Sequence, residues 1–166
     1  MNEFIHERHK PPAELDRPRE LVVVCAPLRS NVNLSRIVRV AGCCGLTKVI
    51  ACGTAKVIGK IARDGANTVE IEVHRTLFPV LNELKLAGYH LVGLEQTSNS
   101  QSLHEFAFQR KTALVLGNER AGLTDDELRL VDSVVEIPVW GLPYSYNVAT
   151  AAAMALYEYC RQYPRG

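Results

Sequence analysis

The sequence predicts an α/β protein: a mostly parallel six-stranded sheet with helices on both faces. Three observations carry this. Six apolar segments of strand length alternate with segments of helical spacing, the pattern of repeated βαβ units. The first of them, LVVVCAP at 21–27, is a continuous apolar run suited to a strand covered on both faces. The chain has 166 residues and 47% hydrophobic content, which favours one compact domain.

The elements follow in order. Residues 1–19 carry Pro11, Pro12 and Pro18 among charges and read as an arm or disordered lead-in, ahead of a single domain over 20–166. After the strand at 21–27, residues 33–45 place Leu34, Ile37, Val38 and Ala41 at helical spacing. Asn33 suits the cap of that helix, and Gly42 or Gly45 lies near its end. TKVIAC (47–52) is a second strand. AKVIGKIARDGAN is weakly helical and broken by Gly59 and Gly65, and VEIEVH (69–74) is a third strand. Residues 77–88 are helical after Pro79, with Gly88 suited to end the helix. YHLVGLE (89–95) is a fourth strand, and the polar QTSNSQSLHE after it is a loop. TALVLG (112–117) is a fifth strand, followed by the loop NERAGL and a short helix with Thr124 and Glu127 as its capping box. SVVEIPV (133–139) is the sixth strand and WGLPYSY a turn-rich loop. The strongest helix is 147–163, where Ala149 and Ala151 to Ala153 allow close packing.

Composition removes several function classes. No apolar run approaches the ~20 residues of a membrane helix, and the charged N-terminus lacks the apolar core of a secretory leader. Cys25, Cys43, Cys44, Cys52 and Cys160 are odd in number and form no C-x-x-C pair, so they read as reduced thiols of a cytoplasmic protein. His6 and His9 lie in the polar arm, and His74, His90 and His104 are scattered, so no metal site emerges. The net charge of +1 does not announce a nucleic-acid binder. Local clusters at Arg29, Arg36 and Arg39, and at Lys48, Lys56, Lys60 and Arg63, fit a solvated basic face and a phosphate-binding one equally.

Ligands of such sheets bind beyond the carboxyl ends of the strands, which puts 27–33, 95–99, 117–122 and 138–147 on the functional rim. In TALVLGNERAGLT (112–124), Gly117 and Gly122 sit five apart, as in the phosphate-binding loop G-x-x-x-x-G-K-S/T, but Leu123 stands where the lysine should be. Without that point charge on the distal phosphates, a triphosphate site is rejected. No G-x-G-x-x-G follows the first strand, so the usual dinucleotide fingerprint is absent too. Gly117 lets backbone approach a ligand closely. Glu119 and Arg120 either project from this loop toward a ligand or form an exposed ion pair on a plain turn. In SNVNLSRIVR (30–39), Arg36 and Arg39 share a helix face and, with Asn31, suit a phosphodiester. A capped amphipathic helix with solvated arginines fits as well. In EIPVWGLPYSYNVAT (136–150), Pro138 and Pro143 fix two bends. Ser145 and Asn147 start the long helix as caps or as ligand groups. Trp140, Tyr144 and Tyr146 offer aromatic surface to a base, an adenine ring or a dimer partner.

Taken together, these stretches resemble the three motifs of the SpoU-type RNA 2′-O-ribose methyltransferases of the SPOUT superfamily. The first motif is an asparagine followed six residues later by arginine, here Asn33 and Arg39 with the trailing Gly45. The second is an apolar strand ending L-G-x-E-x-x-G, here Leu116 to Gly122. The third is Ile137-Pro138, then Ser145-Tyr146-Asn147-Val148 and a small-residue helix. The resemblance spans about residues 20 to 163. It departs at Tyr146, where the family usually has leucine. Gly93-Leu94-Glu95-Gln96-Thr97 also resembles the matching strand end of eukaryotic-type tRNA guanosine-18 methyltransferases.

The resemblance implies a C-terminal trefoil knot, which no periodicity reveals. It implies S-adenosylmethionine as cofactor, a homodimer, an RNA substrate, and neither metal nor membrane. It carries the catalytic roles to Asn33, Arg39, Glu119, Ser145 and Asn147, with Arg39 central in activating the ribose hydroxyl. It places the cofactor at Leu94, Gln96, Thr97, Gly117, Ile137, Leu142, Tyr146 and Val148. RNA contacts fall to Arg29, Arg36 and Arg120, with weak help from Arg8, Lys10, Arg17, Arg19, Arg161 and Arg165. The expected substrate is tRNA, with guanosine 18 favoured. The alternatives are the tRNA wobble nucleotide, where minimal chains of this length often act, and rRNA. A non-catalytic RNA-binding relic of the fold is the reading of another class, and the intact motif residues argue against it.

Overall fold

The computed structural model describes residues 2–166. Its strands are β1 (Leu21–Cys25), β2 (Lys48–Cys52), β3 (Glu70–His74), β4 (His90–Leu94), β5 (Gln101–Ser102), β6 (Thr112–Leu116) and β7 (Ser133–Glu136). They form one sheet in the order β3-β2-β1-β6-β4-β7-β5, and every pairing is parallel. The helices are α1 (Asn31–Cys43), α2 (Gly59–Ala62), α3 (Gly65–Thr68), α4 (Leu77–Leu86), α5 (Asp125–Leu130) and α6 (Val148–Gln162).

Alternation along the strands divides the core into two layers. Leu21, Val23 and Cys25 face Leu34, Ile37, Val38 and Ala41 of α1 and Ala152, Ala155, Leu156 and Tyr159 of α6. Val22 and Val24 face the other way, onto Leu77, Val80, Leu81 and Leu84 of α4. Each fully buried leucine or valine stabilises the fold by roughly 1.5–3 kcal/mol. A strand buried on both faces therefore reads as one continuous apolar run.

The seventh strand departs from the expectation of six. Gln101–Ser102 lies in the polar stretch read as a loop and pairs with Val135 and Glu136 at the sheet edge. Two residues of backbone pairing need no apolar pattern, so nothing in their side chains announces them. α1 is capped by Ser30, whose Oγ accepts from the Asn33 amide, and not by Asn33. Asn33 is the third helical residue and is buried. The helix expected to follow Pro79 begins at Leu77; a proline fits the first turn because that amide has no helical partner. Residues 55–67 make two short turns, α2 and α3, and not one weak helix. Strand β1 stops before Pro27, which lacks a donor, and β7 stops before Ile137 and Pro138. At Thr124 the capping box is formed on both sides, with Thr124 accepting from the Glu127 amide and Glu127 accepting from the Thr124 amide.

The strand order positions the site. From β1 the chain runs outward to β2 and β3, whereas β6 is followed by β7 in the other half of the sheet. The loops leaving β1 and β6 thus diverge from neighbouring strands, and this switch point opens a crevice at their carboxyl ends.

Candidate functional site

The loop after β6 is closed by local contacts. Asn118 and Gly122 exchange backbone hydrogen bonds of 3.1 and 2.9 Å, and Gly122 adopts φ +65°, which favours glycine. A Cβ on Gly117 would overlap the backbone of Gly122 and lie 2.7 Å from the Leu123 amide. Glycine is therefore needed at 117 for the loop to fold back on itself. Asn118 fastens the loop further. Its Oδ1 accepts from the Arg120 and Ala121 amides, and its Nδ2 donates to the Pro27 carbonyl at 2.8 Å. Leu123, the residue in place of a lysine, is buried in the second core layer against β4.

Glu119 reaches from this loop to the start of α1. Its carboxylate accepts from the Arg29 amide at 2.9 Å, the Ser30 amide at 2.9 Å and the Asn33 side-chain amide at 3.2 Å. A carboxylate at a helix N-terminus also gains from the helix dipole. Desolvation pushes the Glu119 pKa up, but hydrogen bonds from Arg29, its own amide, Ser30 and Asn33 outweigh that and hold it below the usual carboxylate value. Asn33 continues the chain. Its Oδ1 accepts from Asn147 Nδ2 at 3.1 Å, while Asn147 Oδ1 caps α6 through the Ala149 and Thr150 amides. Glu119, Asn33 and Asn147 thus tie three separate loops into one hydrogen-bonded line. Asn33 can serve both neighbours only in one amide orientation, so its carbonyl and amino ends are fixed.

A cavity of about 470 Å³ opens beside this line, within the range usual for small-molecule pockets. Leu94, Gln96, Gly117, Tyr146 and Val148 line it, together with Glu119, Arg120 and Ser145. Ile137 lines an adjoining recess that shares Leu94, Gln96 and Ser145. Two expected pocket residues are not brought there. Thr97 closes a turn with Ser100, and Leu142 is 76% exposed. Arg29, Arg36, Arg39 and Arg120 are exposed, and among the described residues none of their side chains forms an ion pair. Glu119 therefore meets Asn33 and not Arg39.

A family model described as the SpoU rRNA Methylase family matches residues 20–157. The chain belongs to that family. A tRNA (guanosine(18)-2′-O)-methyltransferase of Escherichia coli is 31% identical over 149 residues, which are 88% of this chain and 65% of that protein. The chain thus spans a little under two thirds of the length of that relative. The crystal structure of a TrmH/SpoU tRNA-modifying enzyme from A. aeolicus superposes with a TM-score of 0.83 at 27% identity, covering 90% of this chain and 78% of that one. The SpoU methyltransferase AviRb from Streptomyces viridochromogenes, solved in complex with its cofactor AdoMet, gives a TM-score of 0.75 at 29% identity, covering 94% and 67%.

Against the SpoU motifs, two residues of the site were missed by sequence reasoning. Asn118 locks the motif loop, and its only signal is its place inside L-G-x-E-x-x-G. Glu95 accepts from the Gln96 and Leu123 amides at 3.0 Å each and so pins that loop to the end of β4. A carboxylate ending an apolar strand was its signal. Three other assignments change. Asn31 Oδ1 accepts from the Lys56 amide, so only its Nδ2 donor is left to face a phosphodiester. Arg19 is buried, donating to the carbonyls of Cys44 and Tyr163, and is no RNA arm. Arg161 and Arg165 pair with Glu158 and Asp16. All five cysteines are free, and Cys25 is buried, where desolvation pushes its thiol pKa up. Among the described residues no cluster suits a metal ion, and no helix is long and apolar enough to cross a membrane.

Proposed function

We propose that this SpoU family member is an S-adenosylmethionine-dependent RNA 2′-O-ribose methyltransferase acting on tRNA, with guanosine 18 the favoured target. The observation that carries the reading is the Glu119–Asn33–Asn147 line beside the 470 Å³ cavity. The cavity residues fit the cofactor. Leu94, Leu116 and Val148 give apolar walls for a flat ring, and Glu95, Gln96 and Ser145 bring polar groups for the ribose and amino-acid parts. Gly117, Ile137 and Tyr146 complete the set that would hold it. Bound there, S-adenosylmethionine supplies an electrophilic methyl group.

The chain's own residues prepare the other reactant. Arg39 sets its planar fork on the phosphate beside the target ribose. A guanidinium has no acceptor lone pair, so the 2′-hydroxyl proton passes to an oxygen of that phosphate. Asn33, held in one orientation by Glu119 and Asn147, orients the ribose, and alignment of the oxygen lowers the barrier. Ser145 contacts the incoming nucleotide. Arg29, Arg36 and Arg120 take flanking phosphates.

The same reading makes 20–166 the catalytic domain of a cytoplasmic homodimer and puts the family's knot in the loops after β4, β6 and β7. Two contacts support the knot assignment: Glu95 to the Leu123 amide and Gln96 Nε2 to the Tyr144 carbonyl at 3.0 Å. The dimer is supported by an apolar groove of about 730 Å³ along α6, rimmed by exposed Trp140 and Tyr157.

The test is methyl transfer from labelled cofactor to bulk tRNA and bulk rRNA, followed by mapping of the modified nucleotide. Transfer to tRNA at guanosine 18 is expected. Transfer to rRNA alone would make rRNA the substrate in place of tRNA. Cofactor binding without transfer to either RNA would sink the enzyme reading.

A further inference from the structure

One group of cations belongs to no motif. The segment 56–68 lies along α1 from its first residue to its last turn. The Lys56 amide donates to Asn31 Oδ1 at 2.8 Å, and the Ile58 amide donates to the buried Ser35 Oγ at 2.7 Å. Further along, Gly65 sits so close that a Cβ there would lie 2.8 Å from the Val38 carbonyl and 3.2 Å from Arg39 Cα. Gly42 and Gly65 then meet, a Cβ on Gly42 falling 3.1 Å from Gly65 Cα. Helix and segment therefore form one platform, about 16 Å long at 1.5 Å per helical residue.

Arg36 and Arg39 of α1 and Lys56, Lys60 and Arg63 of the segment are all exposed on it. Among the described residues none of the five has a carboxylate partner, whereas Lys48, Lys85, Arg129, Arg161 and Arg165 all do. Asp64 is the one acidic residue in 53–68. Arg63 also adopts φ +54°, a conformation that glycine takes freely and an L side chain resists. An arginine stands where the backbone prefers glycine, which calls for a use of its side chain.

We propose that Lys56, Lys60 and Arg63 form a docking strip for the RNA backbone, taking phosphates that flank the nucleotide presented to Arg39. The inference rests on the RNA reading above. It is tested by fluorescence anisotropy of labelled bulk tRNA titrated with wild type and with Lys56→Gln/Lys60→Gln/Arg63→Gly across KCl concentrations. Each lost phosphate contact lowers the slope of log K against log [KCl] by roughly 0.7–0.9, so the triple variant should lose about two to three. Its affinity for S-adenosylmethionine should not change. Arg63→Gly alone relieves strain, so its Tm should hold or rise while the slope falls by about one. A purely structural arginine would not separate those two readouts. Unchanged slopes in variants that bind the cofactor would overturn the strip and leave the RNA reading intact. A wild type that binds no tRNA and no rRNA would overturn both.

Discussion

Glu119→Gln tests the hydrogen-bonded line most directly. The carboxylate accepts from the Arg29 and Ser30 amides and Asn33 Nδ2, with a longer contact of 3.5 Å from Asn118 Nδ2. Hydrogen bonds to a charged acceptor contribute about 1.5–3 kcal/mol each when protected. Glu119 is only partly buried, so solvent screening reduces each to about 1 kcal/mol. Glutamine keeps one oxygen for Ser30 and Asn33 but turns an amino group toward the Arg29 amide. The net destabilisation should be about 1–2 kcal/mol near neutral pH. The sign with pH follows from the lowered pKa. The usual value is 4.5 and the folded value lies below it. The carboxylate's contribution is therefore complete above the unfolded pKa and is lost as pH falls through the folded one. Glutamine does not titrate, so the gap between wild type and variant should be full at about pH 7 and shrink below about pH 4. Urea unfolding followed by far-ultraviolet circular dichroism measures this; Trp140 is 83% exposed and makes a poor fluorescence reporter. Methyl transfer should fall by less than roughly tenfold, because the retained glutamine oxygen still accepts from Asn33 Nδ2 and holds its orientation. A stability gap that is constant with pH, or that widens in acid, would refute the reasoning.

Three further outcomes are expected. Asn147→Asp keeps the cap oxygen of α6 but loses the donor to Asn33, so stability should stay within about 1 kcal/mol of wild type while methyl transfer drops; Asn147→Ala should cost about 1 kcal/mol as well. A parallel fall of activity and Tm in the aspartate variant would count against the orienting role. Gly117→Ala puts a Cβ into the Gly122 backbone, so Tm should fall by the equivalent of about 1–3 kcal/mol and calorimetry should show weakened S-adenosylmethionine binding. Arg39→Ala should abolish transfer with cofactor affinity retained, and Arg39→Lys should fail too because lysine lacks the planar fork; substantial activity in the lysine variant would contradict phosphate pairing.

The sequence by itself determined the layered α/β architecture. Continuous apolar runs such as 21–25 and 113–116 are legible because burial on both faces leaves no polar position. The capping box at Thr124 was legible because both of its partners lie within one turn. The motif residues Asn33, Glu119, Ser145 and Asn147 were legible as a set only through resemblance, each being an ordinary cap or turn residue when read alone. Three things were decided by the tertiary structure. Asn33 lies inside α1 with Ser30 as cap, since both residue types suit that position and packing chooses between them. The edge strand Gln101–Ser102 exists because β7 offers backbone to pair with, which no side-chain pattern encodes. The line from Glu119 to Asn33 to Asn147 joins residues 86 and 114 positions apart. Local sequence fixes which groups can donate and accept, but only the switch in strand order between the parallel neighbours β1 and β6 brings those groups within hydrogen-bond reach.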